Sequence, residues 1–425
     1  MKVLIISHTP TTTCEAMGKT FVSLFENFKR EELCQLYIYP NVPDINYCES
    51  YFRITDKDVL KSYFKLKVNS REIQRSEIGK SKDFYENPKD RAVYKNRKNK
   101  TSFRIIMRDV MWKFARWNNK ALNEWIRREK PTCIFVAPGN GKFLYDMAME
   151  ISKKYNLPIV TYICDEFYFV NTPNKLLDKI RVNLVQLKMR QLMKRTSHIV
   201  TICDSLTELY SKGLNRPATT VMTGTSFEIS NHVKAVEAPQ AITYMGNIRC
   251  NRFNSLVEIG NVLEKINKES HTNFTLNIYT SEKDVGILSH FKDLETINLC
   301  GYVTGEEFNR VFHSADILLH TEAFDEKSID EVKNSVSTKI ADSLASGIPL
   351  LAYGPKQVAS MKHLIDNNCA IVATNKAELY TALKKAFFDV DFRKQITENA
   401  LRTAKECHDS GEVSLKLYKI FKSLN

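Results

Sequence analysis

No stretch of this 425-residue chain approaches the about 18 consecutive apolar residues that a membrane-spanning helix needs. The opening Met1-Lys-Val-Leu-Ile-Ile-Ser7 is too short, and too quickly polar, for a signal peptide, so a cytoplasmic protein is expected. There is no CxxC pair and no His/Cys cluster at zinc spacing. The ten cysteines (14, 34, 48, 133, 164, 203, 250, 300, 369 and 407) are scattered singly, mostly inside apolar runs such as Thr132-Cys133-Ile-Phe-Val136. That pattern argues for buried, reduced thiols and against a metal or disulfide framework. Short repeats and low-complexity tracts are also absent.

What is present is length and lopsided charge. A chain of 425 residues exceeds a single core and suits two domains of roughly 200 residues each. The net charge of +13 is concentrated: residues 61–130 hold 21 Lys or Arg against 8 Asp or Glu, a local +13 that leaves the remainder formally neutral. Such a segment is either a solvated face or an attractor of polyanions, nucleic acid or an acidic lipid surface.

The order of apolar runs predicts an α/β protein. A strand at 2–7, a polar loop and a helix over 18–28 open the chain, and a second strand at 36–39 ends at Pro40. In the basic insertion, residues 50–130, Ile105, Ile106, Val110, Phe114, Trp117, Leu122, Trp125 and Ile126 give an apolar face at helical spacing. Alternation then returns, with strands at 133–137, 159–164 and 198–202 separated by helices at 143–155, 176–195 and 206–212. Residues 226–240 lack periodicity and read as a linker. A second series has strands at 241–245, 274–279, 297–299, 316–320, 350–353 and 370–373, then helices over 376–388, 392–406 and 412–424. The expected domains are therefore residues 1–225 and 241–405, with a terminal helix in 406–425. Both would be Rossmann-like, with parallel sheets that bind ligands beyond the carboxyl ends of their strands; opposed domains put that site in the cleft between them.

One stretch, Ser335 to Pro355, stands out. Ser335 or Ser337 can cap a helix carrying Ile340, Leu344 and Ala345, which Gly347 and Pro349 stop before a buried strand at 350–353. Ser337, Thr338 and Lys339 add two hydroxyls and an ammonium to a helix start, a set suited to phosphate oxygens; an ordinary capped helix with an exposed lysine accounts for the same residues. Several other matches are rejected. Asp56-Lys-Asp58 and Asp389-Val-Asp391 satisfy a DxD string, but neither is expected to follow a strand as a metal-binding DxD does. Gly139-Asn-Gly-Lys142 lacks phosphate-loop spacing and reads as a strand-to-helix turn. No metal site is expected.

In order, Tyr244-Met-Gly-Asn-Ile-Arg-Cys-Asn-Arg252, His320-Thr-Glu-Ala-Phe-Asp325, Ser337-Thr-Lys-Ile340, Leu344-Ala-Ser-Gly347 and Ala352-Tyr-Gly-Pro355 resemble the C-terminal domain of GT-B glycosyltransferases, specifically the family 4 (group 1) branch that assembles bacterial cell-surface polysaccharides. The resemblance covers nearly the whole chain. It implies a nucleoside-diphosphate sugar held mainly by the second domain, a saccharide or lipid-linked acceptor held mainly by the first, retention of configuration, and no cofactor or metal. Carried over residue by residue, Gly246 matches the family's glycine, Asn247 replaces its first basic residue, Arg252 matches the second, and Arg249 is a substitute for the missing charge. Glu322 resembles the first of two family glutamates, although strict spacing points to Asn334. Asp342 stands in place of the second glutamate. Gly18 is the one glycine in the loop after the first strand, and Asp165 keeps the acid of a His-Asp turn, either an acceptor-side base or a structural carboxylate. The expected catalytic set is Asp165, Glu322 and Lys339; the donor set is Gly18, Gly246, Asn247, Arg249, Arg252, Ser337, Thr338, Lys339 and Asp342. The basic segment, with Arg97, Lys98 and Lys100, would lie against anionic lipid on the inner face of the membrane. The alternatives are a non-hydrolysing sugar-nucleotide epimerase of the same fold and, from another class, a nucleic-acid-associated protein using residues 61–130, where no recognised nucleic-acid motif occurs.

Overall fold

The computed structural model describes the chain except residues 14–15, 65–69, 80–100, 171–172, 174, 235–236 and 425. It divides into two α/β units, Met1–Thr223 with Ser410–Asn425, and Gly224–Asp409.

The first unit is built on a sheet of eight strands in the order β4-β3-β2-β1-β5-β6-β7-β8. These are β1 (Val3–Ser7), β2 (Leu33–Tyr37), β3 (Ser50–Arg53), β4 (Arg71–Ile73), β5 (Cys133–Val136), β6 (Ile159–Ile163), β7 (Thr196–Thr201) and β8 (Ala218–Thr220). Every residue of β1, β2, β5 and β6 is buried, as expected of parallel strands covered on both faces. The helices are α1 (Ala16–Leu24), α2 (Asp56–Tyr63), α3 (Ser102–Phe114), α4 (Lys120–Glu129), α5 (Lys142–Tyr155), α6 (Leu176–Arg195) and α7 (Asp204–Leu214). All pairings are parallel except β3 with β4, so the sheet carries one antiparallel edge.

The second unit has six parallel strands in the order β11-β10-β9-β12-β13-β14. They are β9 (Ala241–Met245), β10 (Thr275–Tyr279), β11 (Ile297–Gly301), β12 (Ile317–Thr321), β13 (Leu350–Tyr353) and β14 (Ile371–Ala373). The helices are α8 (Arg252–Ser270), α9 (Val285–Leu288), α10 (Gly305–Ser314), α11 (Glu326–Val332), α12 (Thr338–Ala345), α13 (Ala359–Asp366), α14 (Lys376–Phe388) and α15 (Val390–Thr403), followed by a π-turn at Ala404–His408. The core runs from Ile242 and Leu276 on the strands to Leu256, Ile259 and Leu383 on the helices. The chain then returns to the first unit as α16 (Ser410–Lys422), which packs on α1.

Both sheets reverse strand order at one point, β1/β5 in the first unit and β9/β12 in the second. At a reversal the connections leave in opposite directions and open a crevice above the carboxyl ends. The two series of strands match the alternation in the sequence. Three differences come from local chemistry. Within the basic insertion expected over 50–130, Ser50–Arg53, Asp56–Tyr63 and Arg71–Ile73 form β3, α2 and β4, so its first part is not helical alone. The stretch between Glu322 and Ser337 contains a helix, α11, where the apolar spacing gives no element. Residues 226–240 belong to the second unit rather than standing apart.

Asp56 does follow a strand, contrary to the ground on which its DxD string was set aside, but both acids have structural partners. Asp58 closes a capping box with Thr55, and Asp56 accepts from Arg108 and from Trp112 Nε1 at 2.7 Å. Nor are all the cysteines buried: Cys250 and Cys300 are exposed, while burial pushes the Cys48, Cys133 and Cys369 thiols up to about 12.

Candidate active site

In the second unit, the residues singled out on β9, β12 and α12 meet at the strand reversal. Gly246 follows β9 directly, Glu322 follows β12 directly, and Arg252 is the first residue of α8. The turn that delivers Arg252 is unusual, because Cys250 and Asn251 are both in the left-handed region, at φ 54° and 56°. Asn251 Nδ2 ties the turn to Asp325 Oδ2 at 3.0 Å. Two consecutive non-glycine residues in this region carry backbone strain, of the kind found where a side chain must be aimed.

Arg252 Nε donates to Glu322 Oε2 at 2.8 Å, and Nη2 lies in ion-pair contact with the same oxygen at 2.8 Å. Glu322 is 4% exposed and its backbone carbonyl accepts from Ser255 Oγ at 2.8 Å, so the first turn of α8 is clamped onto the end of β12. Burial alone would lower the Arg252 pKa, but the pairing with Glu322 outweighs it and holds the guanidinium above its ordinary value. Lys339, in the first turn of α12, reaches over the glycine: a Cβ on Gly246 would stand 2.6 Å from Lys339 Nζ and 3.0 Å from the Tyr244 hydroxyl. Any larger residue at 246 displaces the ammonium. Tyr244 donates to Asn247 O at 2.7 Å, fixing the loop.

His320 completes the cluster and was quoted in the sequence motif without being assigned a role. It lies two residues before Glu322 along β12, on the same side of the strand by the period of two. Its Nε2 stands 3.7 Å from Glu322 Oε1 and has no hydrogen-bond partner among the described residues. Burial, reinforced by Arg252 and Lys339, outweighs Glu322 and depresses its pKa, keeping the imidazole neutral. The result is a neutral ring, one ion pair and one ammonium at the carboxyl ends of β9 and β12. Such a set can hold phosphate oxygens: a guanidinium for bidentate contact, an ammonium, and backbone at a helix start.

No family model matches the sequence, and neither does any curated protein. Solved structures do match. The Anabaena protein HepE in complex with UDP aligns over 100% of both chains with a TM-score of 0.63 at 10% identity. Sucrose-phosphate synthase from Thermosynechococcus elongatus aligns over 100% of this chain and 99% of its own, with a TM-score of 0.62 at 9% identity. The UDP-forming α,α-trehalose-phosphate synthase from Burkholderia xenovorans, solved with glucose-6-phosphate, aligns over 100% of both chains with a TM-score of 0.58 at 10% identity.

The fold is GT-B. Identities near 10% carry the fold alone, so each expected site residue is judged by its surroundings. Gly246, Arg252, Glu322 and Lys339 come together. Ser337 occupies the N-cap of α12 but makes no side-chain cap; instead its N–H donates to Ser360 Oγ at 3.2 Å. Thr338 opens the helix. Arg249 is engaged by Glu282, with Nη2 at 2.9 Å, and that pairing depresses the Glu282 pKa to about 2. Asn247 accepts from the Arg249 N–H at 2.8 Å, making it a turn residue. Asp342 Oδ1 accepts from the Ser226 N–H at 2.7 Å and from Thr225 Oγ1 at 3.2 Å, holding the first residues of the second unit onto α12. Asn334 lies beyond α11, whereas Glu322 directly abuts β12.

In the first unit, Gly18 lies inside α1 rather than in the loop before it. A Cβ there would stand 2.2 Å from Thr12 Cγ2 and 2.6 Å from Thr12 O, so this glycine permits a close backbone approach and is not a phosphate turn. Asp165 is exposed at the end of β6, while its neighbour Glu166 braces the turn by accepting from the Tyr168 and Phe169 N–H groups. The acid that the β1/β5 reversal gathers is Asp109, from α3. It is 4% exposed and 3.8 Å from Lys142 Nζ, and it accepts from the backbone N–H groups of Lys142 and Phe143 at the start of α5. Burial outweighs these contacts and raises its pKa to about 6. Alongside, Trp112 stacks on Phe143 at 4.5 Å, and a Cβ on Gly141 would stand 3.1 Å from His8 Cε1. No pattern in the sequence pointed to Asp109, because its partners lie 33 and 34 positions away.

Proposed function

We propose that this GT-B chain is a glycosyltransferase that moves a sugar from a nucleoside-diphosphate sugar to a saccharide or lipid-linked saccharide acceptor. The carrying observation is the convergence of Gly246, Arg252, Glu322 and Lys339 at the β9/β12 reversal. The solved neighbours include proteins bound to UDP and UDP-glucose, which supports the same donor class here. The family 4 motif order supports a retaining enzyme of cell-surface polysaccharide synthesis.

As the bond from the anomeric carbon to the diphosphate oxygen breaks, negative charge grows on that oxygen. Lys339, Arg252 and the first turn of α12 stabilise it, which is transition-state rather than ground-state binding. The acceptor hydroxyl forms the new bond on the same face and its proton passes to the departing phosphate oxygen. Glu322 orients Arg252, and neutral His320 keeps that corner free of a further positive charge. The donor is a substrate, and no cofactor is invoked. The proposal assigns the acceptor to the first unit. Lys339→Ala should reduce nucleoside-diphosphate release by roughly 100-fold or more with the thermal unfolding curve unchanged. The measurement is product release across a panel of nucleotide sugars with and without acceptor. Near-normal turnover removes the role of Lys339, and donor conversion without any acceptor identifies an epimerase instead.

The membrane part of the reading concerns residues 61–130. Its three marker charges, Arg97, Lys98 and Lys100, lie outside the described residues. No helix among the described residues is long and apolar enough to cross a membrane.

A further inference from the structure

Three helices of the first unit carry apolar side chains outward. Helix α3 touches both α2 and α6. On α3, Phe103, Met107, Val110 and Phe114 are between 40% and 66% exposed, and their spacing of four, three and four residues sets them in one stripe. The opposite side of α3 is the anchored one, with Trp112 and Asp109 buried. On α2 the exposed apolar residues are Leu60 and Tyr63, with Phe64 at its C-cap; on α6 they are Leu176, Leu177, Ile180 and Leu187. Polar contacts lock the helices together: Tyr63 donates to Met111 O, Ser102 donates to Asp178, and Arg181 Nε donates to Ser102 Oγ at 3.0 Å. The stripes are thus held as neighbours. Isolated exposed apolar residues are ordinary, but three adjoining stripes on interlocked helices are not.

Among the described residues of these three helices, the exposed charges have one sign. Lys57, Arg104, Lys113, Lys175, Lys179 and Arg190 are exposed. The acids of the same helices are not: Asp56 pairs with Arg108, Asp58 sits in its capping box, Asp109 is buried, and half-buried Asp178 accepts from Ser102. We propose that the face formed by α2, α3 and α6 docks on an anionic phospholipid bilayer, its apolar side chains entering the interface between headgroup and acyl chain while the surrounding lysines and arginines meet lipid phosphates. A second copy of the chain fits less well, since a two-fold interface would bring like charges together across the apolar stripes. This inference deepens the membrane part of the proposed function. It moves the contact onto an apolar face that includes α6, outside the basic stretch of the sequence, and it does not depend on the donor chemistry.

The test is co-sedimentation of the full chain with phosphatidylcholine vesicles, with and without about one-third phosphatidylglycerol, at low and high salt. Binding should require the anionic lipid and weaken with salt. The triple variant F103S/M107S/F114S should bind about tenfold less or worse. K113E/K179E should lose binding at low salt and leave the apolar stripe of α3 intact, so it decides the matter if the triple variant fails to fold. Absent binding by the wild type, or equal binding by both variants, overturns the proposal. So does a concentration-dependent dimer in light scattering that the triple variant dissolves, which would assign the face to a second copy. Nucleoside-diphosphate release from the nucleotide sugar in the presence of a soluble acceptor should be unchanged in both variants; its absence in the wild type would count against the proposed reaction and leave the vesicle result standing.

Discussion

At the scale of single residues the pairing of Arg252 with Glu322 decides most. Each is the main compensation for the other in a largely buried position, so removing one leaves a desolvated charge behind. Arg252→Gln should cost about 3 kcal/mol in urea unfolding and abolish turnover, while R252Q/E322Q together should recover much of the stability and none of the activity. Additive single-site losses would show that the pair is not coupled. Gly246→Ala should fold and raise the donor KM by about tenfold or more, because the new methyl occupies the space of the Lys339 ammonium. Asp109 gives a prediction in pH. Its folded pKa of about 6 stands above the ordinary carboxylate value, so the native state holds this proton more tightly than the unfolded chain and loses stability as pH rises to 6. Asp109→Asn should therefore match the wild type near pH 4 and exceed it above pH 6. The gain should be on the order of 2 kcal/mol, less whatever Lys142 loses by giving up its partner. Chemical denaturation at both pH values measures it, and equal stability at neutral pH would sink the argument. Arg252 was legible because it sits at a fixed offset from a glycine at a strand end. Asp109 was not, since burial by residues distant in sequence is what sets its behaviour.

At the scale of elements, α12 is the helix whose two ends have different duties. At its start Lys339 reaches Gly246; farther along, Asp342 grips Thr225 and Ser226. The helix and its stop were plain in the sequence, because Ile340, Leu344 and Ala345 recur at helical spacing and Gly347 takes φ +72°. The cap was not, because Ser337 donates its N–H to Ser360, a contact 23 residues away. Nor was the job of Asp342, which rests on 116- and 117-residue separations. Asp342→Ala should lower stability by about 1–2 kcal/mol through the loss of those two hydrogen bonds, with donor KM within about threefold of wild type. A KM rise of tenfold with unchanged unfolding would restore the ribose contact that the motif resemblance implies. Helix α11 was missed for a different reason. Glu326–Val332 carries little apolar signal, and its start is set by Asp325, whose side chain accepts from the Ser328 N–H.

At the scale of the whole chain, the two sheets were legible because parallel strands buried on both faces appear as continuous apolar runs, from Val3-Leu-Ile-Ile6 to Leu350-Leu-Ala-Tyr353. The antiparallel edge β4 was not, with only Ile73 buried among its three residues. The destination of the last helix was equally hidden: periodicity shows that 412–424 is amphipathic, but not which core its apolar face enters. That face enters the first unit. Phe421 is fully buried and its ring lies 6.4 Å from Phe25, 5.9 Å from Phe28 and 6.2 Å from Phe135, while Ser414 Oγ accepts from the Asn27 N–H at 2.9 Å, 387 positions away in sequence. Helix α16 therefore supplies part of the core of a unit whose other residues end at Thr223. Phe421→Ala should cost about 3–5 kcal/mol, the range for emptying a buried aromatic site. The loss should appear in the unfolding of the first unit, read by the fluorescence of Trp112, Trp117 and Trp125, the three tryptophans, all of which lie in that unit. Unchanged tryptophan unfolding in Phe421→Ala would mean that α16 is an appendage rather than a part of that core.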